Sequence, residues 1–157
     1  MQEFPKPQYI GWIIKENGIV FEDKVPLLSY RIDYDETKDD VLDEWADHIR
    51  KHYIRDEALE ESISSLHLTK KEYLSSYEIP QKCHTMGPST ISAEWAEILV
   101  YDLIEYVLDY VALRGRHWNK PTPTSPVAGS DILGAKMKKE TSSSDDELFI
   151  IEVKASL

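Results

Sequence analysis

Glu152 and Lys154 interrupt an apolar run in DELFIIEVKASL, residues 146–157. Side chains alternate along a strand, so Phe149, Ile151 and Val153 are expected on one face. Leu148, Ile150, Glu152 and Lys154 share the other, which sets the acid and the lysine about 6.5–7 Å apart. The preceding strand candidate, AGSDILGAKM, precedes it by a polar loop of about nine residues, and an antiparallel hairpin is the simplest pairing. A loop centred near Ser142 places Met137 opposite Glu147 and Asp131 opposite Val153, bringing Asp131 beside Glu152. Two ionised carboxylates at that range repel unless a divalent cation is shared between them. A neighbouring lysine can orient or deprotonate a water, or offset negative charge developing on a phosphate.

The segment ISAEWAEILVYDLIEYVLDYVAL offers a further acid. At about 100° per residue, Glu94, Asp102, Glu105 and Asp109 fall in one arc, read as a solvated face. Glu97 lies on a different stripe, with Tyr101, Ile104 and Leu108, where the helix turns toward the protein. A carboxylate at such a position wants a partner, and a metal site supplies one. Each residue alone has a plainer reading. Glu152 with Lys154 is also a salt-bridged strand end, Glu97 a boundary acid reaching water, and Asp131 a turn residue after Gly129 and Ser130. The order of helix acid, Gly-Ser-Asp and apolar-Glu-x-Lys is more specific than its members.

The elements that must position these groups follow from periodicity. YIGWIIKENGIVF reads as β structure around an Asn17-Gly18 hairpin turn, and LLSYRIDY as a further strand. From Asp39 the period becomes helical through Val41, Leu42, Trp45, Ile49 and Tyr53, behind an acidic first turn. A second helix is expected near residues 56–66. A third begins at Thr69, whose spacing to Glu72 fits a capping box, and stops before Pro80. The long helix is expected to be capped at Ser89 or Thr90 and to run up to Gly115. Residues 114–127, rich in proline, are expected to be irregular. The division expected is an acidic β/helical region over 1–85 and a site-bearing core over 86–157.

Composition narrows the function classes. The formal net charge is -11. Residues 1–109 carry 11 Lys+Arg against 23 Asp+Glu, and residues 110–157 carry 7 against 6. The first part repels nucleic acid and the second does not, which argues against unaided, tight DNA binding by the whole surface. One cysteine, Cys83, leaves no disulfide framework, and with His84 alone beside it no zinc site of recognised spacing. No apolar run is long enough for a membrane span, and the N-terminus lacks the pattern of a secretory signal, so the expected location is the cytoplasm.

The Asp131, Glu152-x-Lys154 and helix-acid order resembles the PD-(D/E)XK nuclease superfamily. With the SAEWAEILVYDLI helix and the acidic, aromatic N-terminal part, the fuller arrangement resembles the HamA nucleases of Hachiman anti-phage systems. The resemblance implies an α+β fold with a restriction-endonuclease-like core, a long helix packed on an antiparallel hairpin of a mixed sheet. It implies a metal-dependent deoxyribonuclease, with Mg²⁺ or Mn²⁺ held by Asp131, Glu152 and the Val153 carbonyl. Glu97, or alternatively Glu94, would help position the ion, and Lys154 would align the attacking water. Arg114, Arg116, Lys120, Lys136, Lys138 and Lys139 become candidate phosphate contacts, with Trp118 a stacking group. The implied partners are DNA and a helicase subunit. The superfamily core continues beyond the Glu-x-Lys strand, so a C-terminal truncation is expected, and a strand before Gly-Ser-Asp is obscured by Pro121, Pro123 and Pro126. The competing expectation is an inactive module whose acidic N-terminal part docks on a basic partner.

Overall fold

The fold is that of a computed structural model, which describes residues 4–16, 27–127, 129–138 and 141–155. It is α+β, and the chain divides into two compact units, residues 1–48 and 49–157.

In the first unit a 3₁₀ turn, Gln8–Trp12, leads into strand β1, Ile13–Glu16. The expectation of strand from Tyr9 onward is therefore corrected at its start: Tyr9 and Ile10 are buried in the turn that follows Pro7. β1 pairs antiparallel with β2, Ser29–Ile32, in the register Ile13↔Ile32 to Glu16↔Ser29. The Asn17-Gly18 turn lies outside the described residues. Helix α1, Asp39–Lys51, opens on Asp39 and Asp40, whose charge suits the positive end of the helix dipole. Its inward face carries Trp45, stacked on Tyr9 with ring centroids 4.4 Å apart.

In the second unit, helix α2, Asp56–Leu66, occupies the expected residues. Helix α3, Lys70–Tyr73, starts with the complete Thr69–Glu72 capping box and continues as a π turn, Leu74–Glu78, ending before Pro80. Ile54, Leu59 and Tyr73 form one apolar cluster.

Helix α4 spans Gly87–Asp102 with its cap at Met86, three residues before the expected Ser89. Pro88 is tolerated because the first-turn N–H groups have no intrahelical acceptor. The Ser89 and Thr90 hydroxyls instead donate back to the Met86 carbonyl. The far end departs further. After a π turn, Leu103–Val107, Asp109 takes a left-handed φ of 60°, and the chain reverses into strand β3, Val111–Ala112. The strand obscured by the prolines thus sits earlier, in residues read as helix. The β-branched Val111 has a period-2 neighbour pattern too short to register against the helical signal before it.

The sheet order is β3-β4-β5, with β4 Ile132–Lys136 and β5 Glu147–Ile151. All its pairings are antiparallel among the described residues, not mixed. The hairpin register is Ile132↔Ile151 to Lys136↔Glu147, one residue from the expected one. The connection runs from Met137 to Asp146, one residue longer than assumed. Asp146 closes it by accepting from the Lys138 and Ser143 N–H groups. Facing α4, Ile132, Phe149, Ile151 and Val153 pack with Tyr101, Ile104 and Leu108 in the second cluster. The opposite face presents Val111, Leu113, Leu133, Leu148 and Ile150 to solvent, with Leu148 76% and Ile150 66% exposed. No helix among the described residues is long and apolar enough to cross a membrane.

Candidate active site

The stripe on α4 places its acid as the periodicity implied. Glu97 is buried one turn before Tyr101, and the Tyr101 hydroxyl donates to the Asp131 carbonyl at 3.1 Å. This bond ties the helix to the start of β4, where Asp131 stands just outside the paired strand. The Asp131 carboxylate is held on both oxygens. Oδ1 accepts from Arg116 Nη1 at 2.7 Å, and Oδ2 accepts from the Val153 N–H at 2.8 Å. The Val153 N–H, helped by the Arg116 guanidinium, holds this carboxyl below the usual range.

Arg116 brings the two acids together. Its Nη1 stands 3.6 Å from Glu97 Oε2, an ion-pair distance too long for a hydrogen bond, while Nη2 donates to the Val127 carbonyl at 2.9 Å. The residue sits on a short 3₁₀ turn, Arg116–Asn119, entered through Gly115 at φ 108°, a conformation that favours glycine. A Cβ there would also meet the Trp118 ring at 2.7 Å. Burial pushes the Glu97 carboxyl up to about 7, against the pull of Arg116.

Glu152 and Lys154 are neighbours on one face, as expected, bridged at 2.7 Å and exposed. Glu152 does not join the Asp131 carboxylate, whose partners are Arg116 and Val153. Lys154 is close enough to Asp131 for each charge to favour the other.

The solvated arc predicted for α4 is overturned for Glu94, Asp102 and Glu105 by the buried ion pairs they make, while Asp109 is exposed. Asp102 is fully buried and Glu105 nearly so. Both accept from Arg114, Asp102 from Nη2 at 2.7 Å and Glu105 from Nε at 2.5 Å. Arg114 Nη1 donates to His52 Nε2 at 2.7 Å. Glu94 is buried too and accepts from Lys120, which also donates to the Pro123 carbonyl. Periodicity specifies a face, but the cations that neutralise it come from residues 114–120, beyond the reach of a local pattern.

Among the candidate phosphate contacts, Arg114 and Lys120 are therefore buried against carboxylates. Lys136 bridges Asp109 at 3.4 Å, Lys138 bridges Glu147 at 2.6 Å, and Lys139 lies outside the described residues. Trp118 donates from its indole to the Lys51 carbonyl, with Arg55 over its ring.

His117 was not anticipated. It is buried beside Glu97, and Tyr53 stacks on it. The only sequence signal was its place in the basic run RGRHW. Glu94, Glu97, Arg116 and His117 line a pocket of about 490 Å³ between α4 and residues 124–127.

A family model described as HamA matches residues 7–156. The chain belongs to the HamA family. Membership suggests a role in Hachiman-type antiviral defence. No curated protein and no solved structure matches the chain. In this HamA-family chain, two of the four expected cation ligands, Glu97 and Asp131, meet at one guanidinium nitrogen. Glu97 Oε2 is buried without a hydrogen-bond partner, and Asp131 approaches the same guanidinium nitrogen. Glu152 and Val153 follow directly on the end of β5, and Glu152 is exposed in a surface ion pair with Lys154.

Proposed function

We propose that this chain is a metal-dependent deoxyribonuclease of the PD-(D/E)XK type, acting in anti-phage defence with a helicase subunit. The observation that carries the reading is the meeting of Asp131 and Glu97 at Arg116 Nη1, beside the strand end that bears Glu152 and Lys154. Asp131, Glu97, Glu152 and the Val153 carbonyl would hold Mg²⁺ or Mn²⁺. When bound, such an ion polarises a phosphoryl oxygen and lowers the pKa of a water.

The remaining work falls to the chain itself. The Val153 N–H fixes the carboxylate of Asp131, so this ligand is oriented before substrate arrives. Lys154 is exposed beside that carboxylate, placed to align a water and to offset charge on the phosphate. Arg116 holds the two acids at rest and carries a planar fork suited to a phosphate once they take another cation. Lys136, at the end of β4, and Lys138, in the connection that follows, would make backbone contacts whose salt sensitivity would identify them.

The test is Mg²⁺-dependent degradation of DNA by the chain with its helicase partner. Asp131→Asn, Glu152→Ala and Lys154→Ala should each abolish it, and undiminished cleavage by these variants would sink the proposal. The outward Glu152 and the internal pairing of Arg114 and Lys120 favour a second reading, an inactive module that docks on a basic partner through its acidic N-terminal part. That reading predicts salt-sensitive partner binding and no divalent-cation binding by calorimetry.

A further inference from the structure

The pocket beside α4 holds donor atoms that the hydrolytic scheme leaves unused. His117 is 3% exposed, and neither of its ring nitrogens has a hydrogen-bond partner. Its Nε2 lies 3.6 Å from Glu97 Oε2, which is itself buried without a hydrogen-bond partner and faces Arg116 Nη1 at the same distance. Buried polar atoms are nearly always paired, so these unpaired donors in one cavity leave room for a guest.

The separation fits a shared ion. Two donors each roughly 2.0–2.2 Å from one cation stand about 3.6 Å apart when they subtend roughly 110–130° at it. Neither imidazole nitrogen is hydrogen-bonded elsewhere, so a lone pair is open to an ion. The Tyr53 ring, stacked with centroids 5.7 Å apart, fixes its plane. Arg116 does not close the gap, since its hydrogen bonds go to Asp131 and the Val127 carbonyl.

We propose that His117 Nε2 and Glu97 Oε2 form a mixed nitrogen–oxygen half-site that selects a first-row transition dication over Mg²⁺. This deepens the nuclease reading and rests on Glu97 as a cation ligand. Mg²⁺ is a hard ion that prefers oxygen donors and keeps its water, whereas imidazole favours the transition ions. His117 is thus a specificity-determining ligand, and the site discriminates by donor type.

The experiment uses the full chain, with Mn²⁺ as the paramagnetic probe and Mg²⁺ as the competitor. Pulsed electron paramagnetic resonance of the Mn²⁺ complex should show ¹⁴N coupling in the native chain and none in His117→Gln. Calorimetry should show His117→Gln weakening Mn²⁺ by about 10- to 100-fold, the scale on which even outer partners of a metal act, with Mg²⁺ unchanged. His117→Asn provides a second variant, and ¹⁴N coupling that persists in either variant comes from another histidine and overturns the inference. Absent ¹⁴N coupling, or equal weakening of both ions, overturns the inference. Binding lost in Glu97→Gln and Asp131→Asn but untouched in His117→Gln overturns it while leaving the nuclease reading intact. Failure of the native chain to bind either ion overturns both.

Discussion

Arg116 donates from Nη1 to Oδ1 of Asp131 at 2.7 Å, so the acid that opens β4 is neutralised by a residue of the preceding loop. The same guanidinium faces Glu97, and its positive charge occupies the neighbourhood that a divalent cation would share. Arg116→Gln should therefore separate folding from ion affinity. Stability should fall by about 1.5–3 kcal/mol, the worth of a charge-assisted hydrogen bond. Mn²⁺ affinity should rise, since a competing charge has gone. Urea unfolding in chelator and calorimetry read the two effects, and weaker Mn²⁺ binding in the variant would contradict the competition.

Glu97 gives a pH dependence of definite sign. Its folded pKa, about 7, lies above the ordinary 4.5, so the native state binds more protons than the unfolded chain between those values. Its contribution is fully present below about pH 4.5 and is lost as pH rises to about 7. Without divalent ions, Glu97→Gln should stabilise the chain at pH 8 by on the order of 1–3 kcal/mol and converge with the native chain near pH 4.5. Parallel denaturation curves across that range would contradict this.

Arg114 sits among Asp102, Glu105 and His52, and removing it strands two buried carboxylates. Arg114→Ala should cost about 3–5 kcal/mol. Arg114→Lys should recover little of it, because one ammonium cannot reproduce a planar fork reaching three partners. Thermal unfolding of the two variants is the measurement, and full rescue by lysine would show that charge alone suffices.

Gly134 is required by contact, not by φ. A Cβ at this position in β4 would stand 2.1 Å from Cζ of Phe149 across the hairpin. Gly134→Ala should destabilise by about 1–3 kcal/mol through overpacking, and Phe149→Leu should relieve part of the loss in a double-mutant cycle. Strict additivity would argue against the contact.

Local signals were the legible ones. The α1 period, the span of α2, the Thr69–Glu72 capping box and the alternation in β5 depend on neighbours within a few residues. Glu97 was readable because its apolar companions share its stripe. Glu94, Asp102 and Glu105 were not, since their burial depends on Lys120 and Arg114 arriving from a later segment. The end of α4 was misread because Tyr110 and Val111 continue an apolar pattern through a turn that only the left-handed Asp109 reveals. The hairpin register slipped by one residue with the loop length, and His117 became visible only through its unpartnered nitrogens.

The outward face of the sheet, with Leu148 and Ile150 exposed, sits on a chain of net charge -11. Dispersal in solution then depends on mutual repulsion between copies, which ions screen within about 8–10 Å at ordinary ionic strength. Salt, usually added to keep a protein in solution, should here promote clouding, and dilute buffer should preserve it.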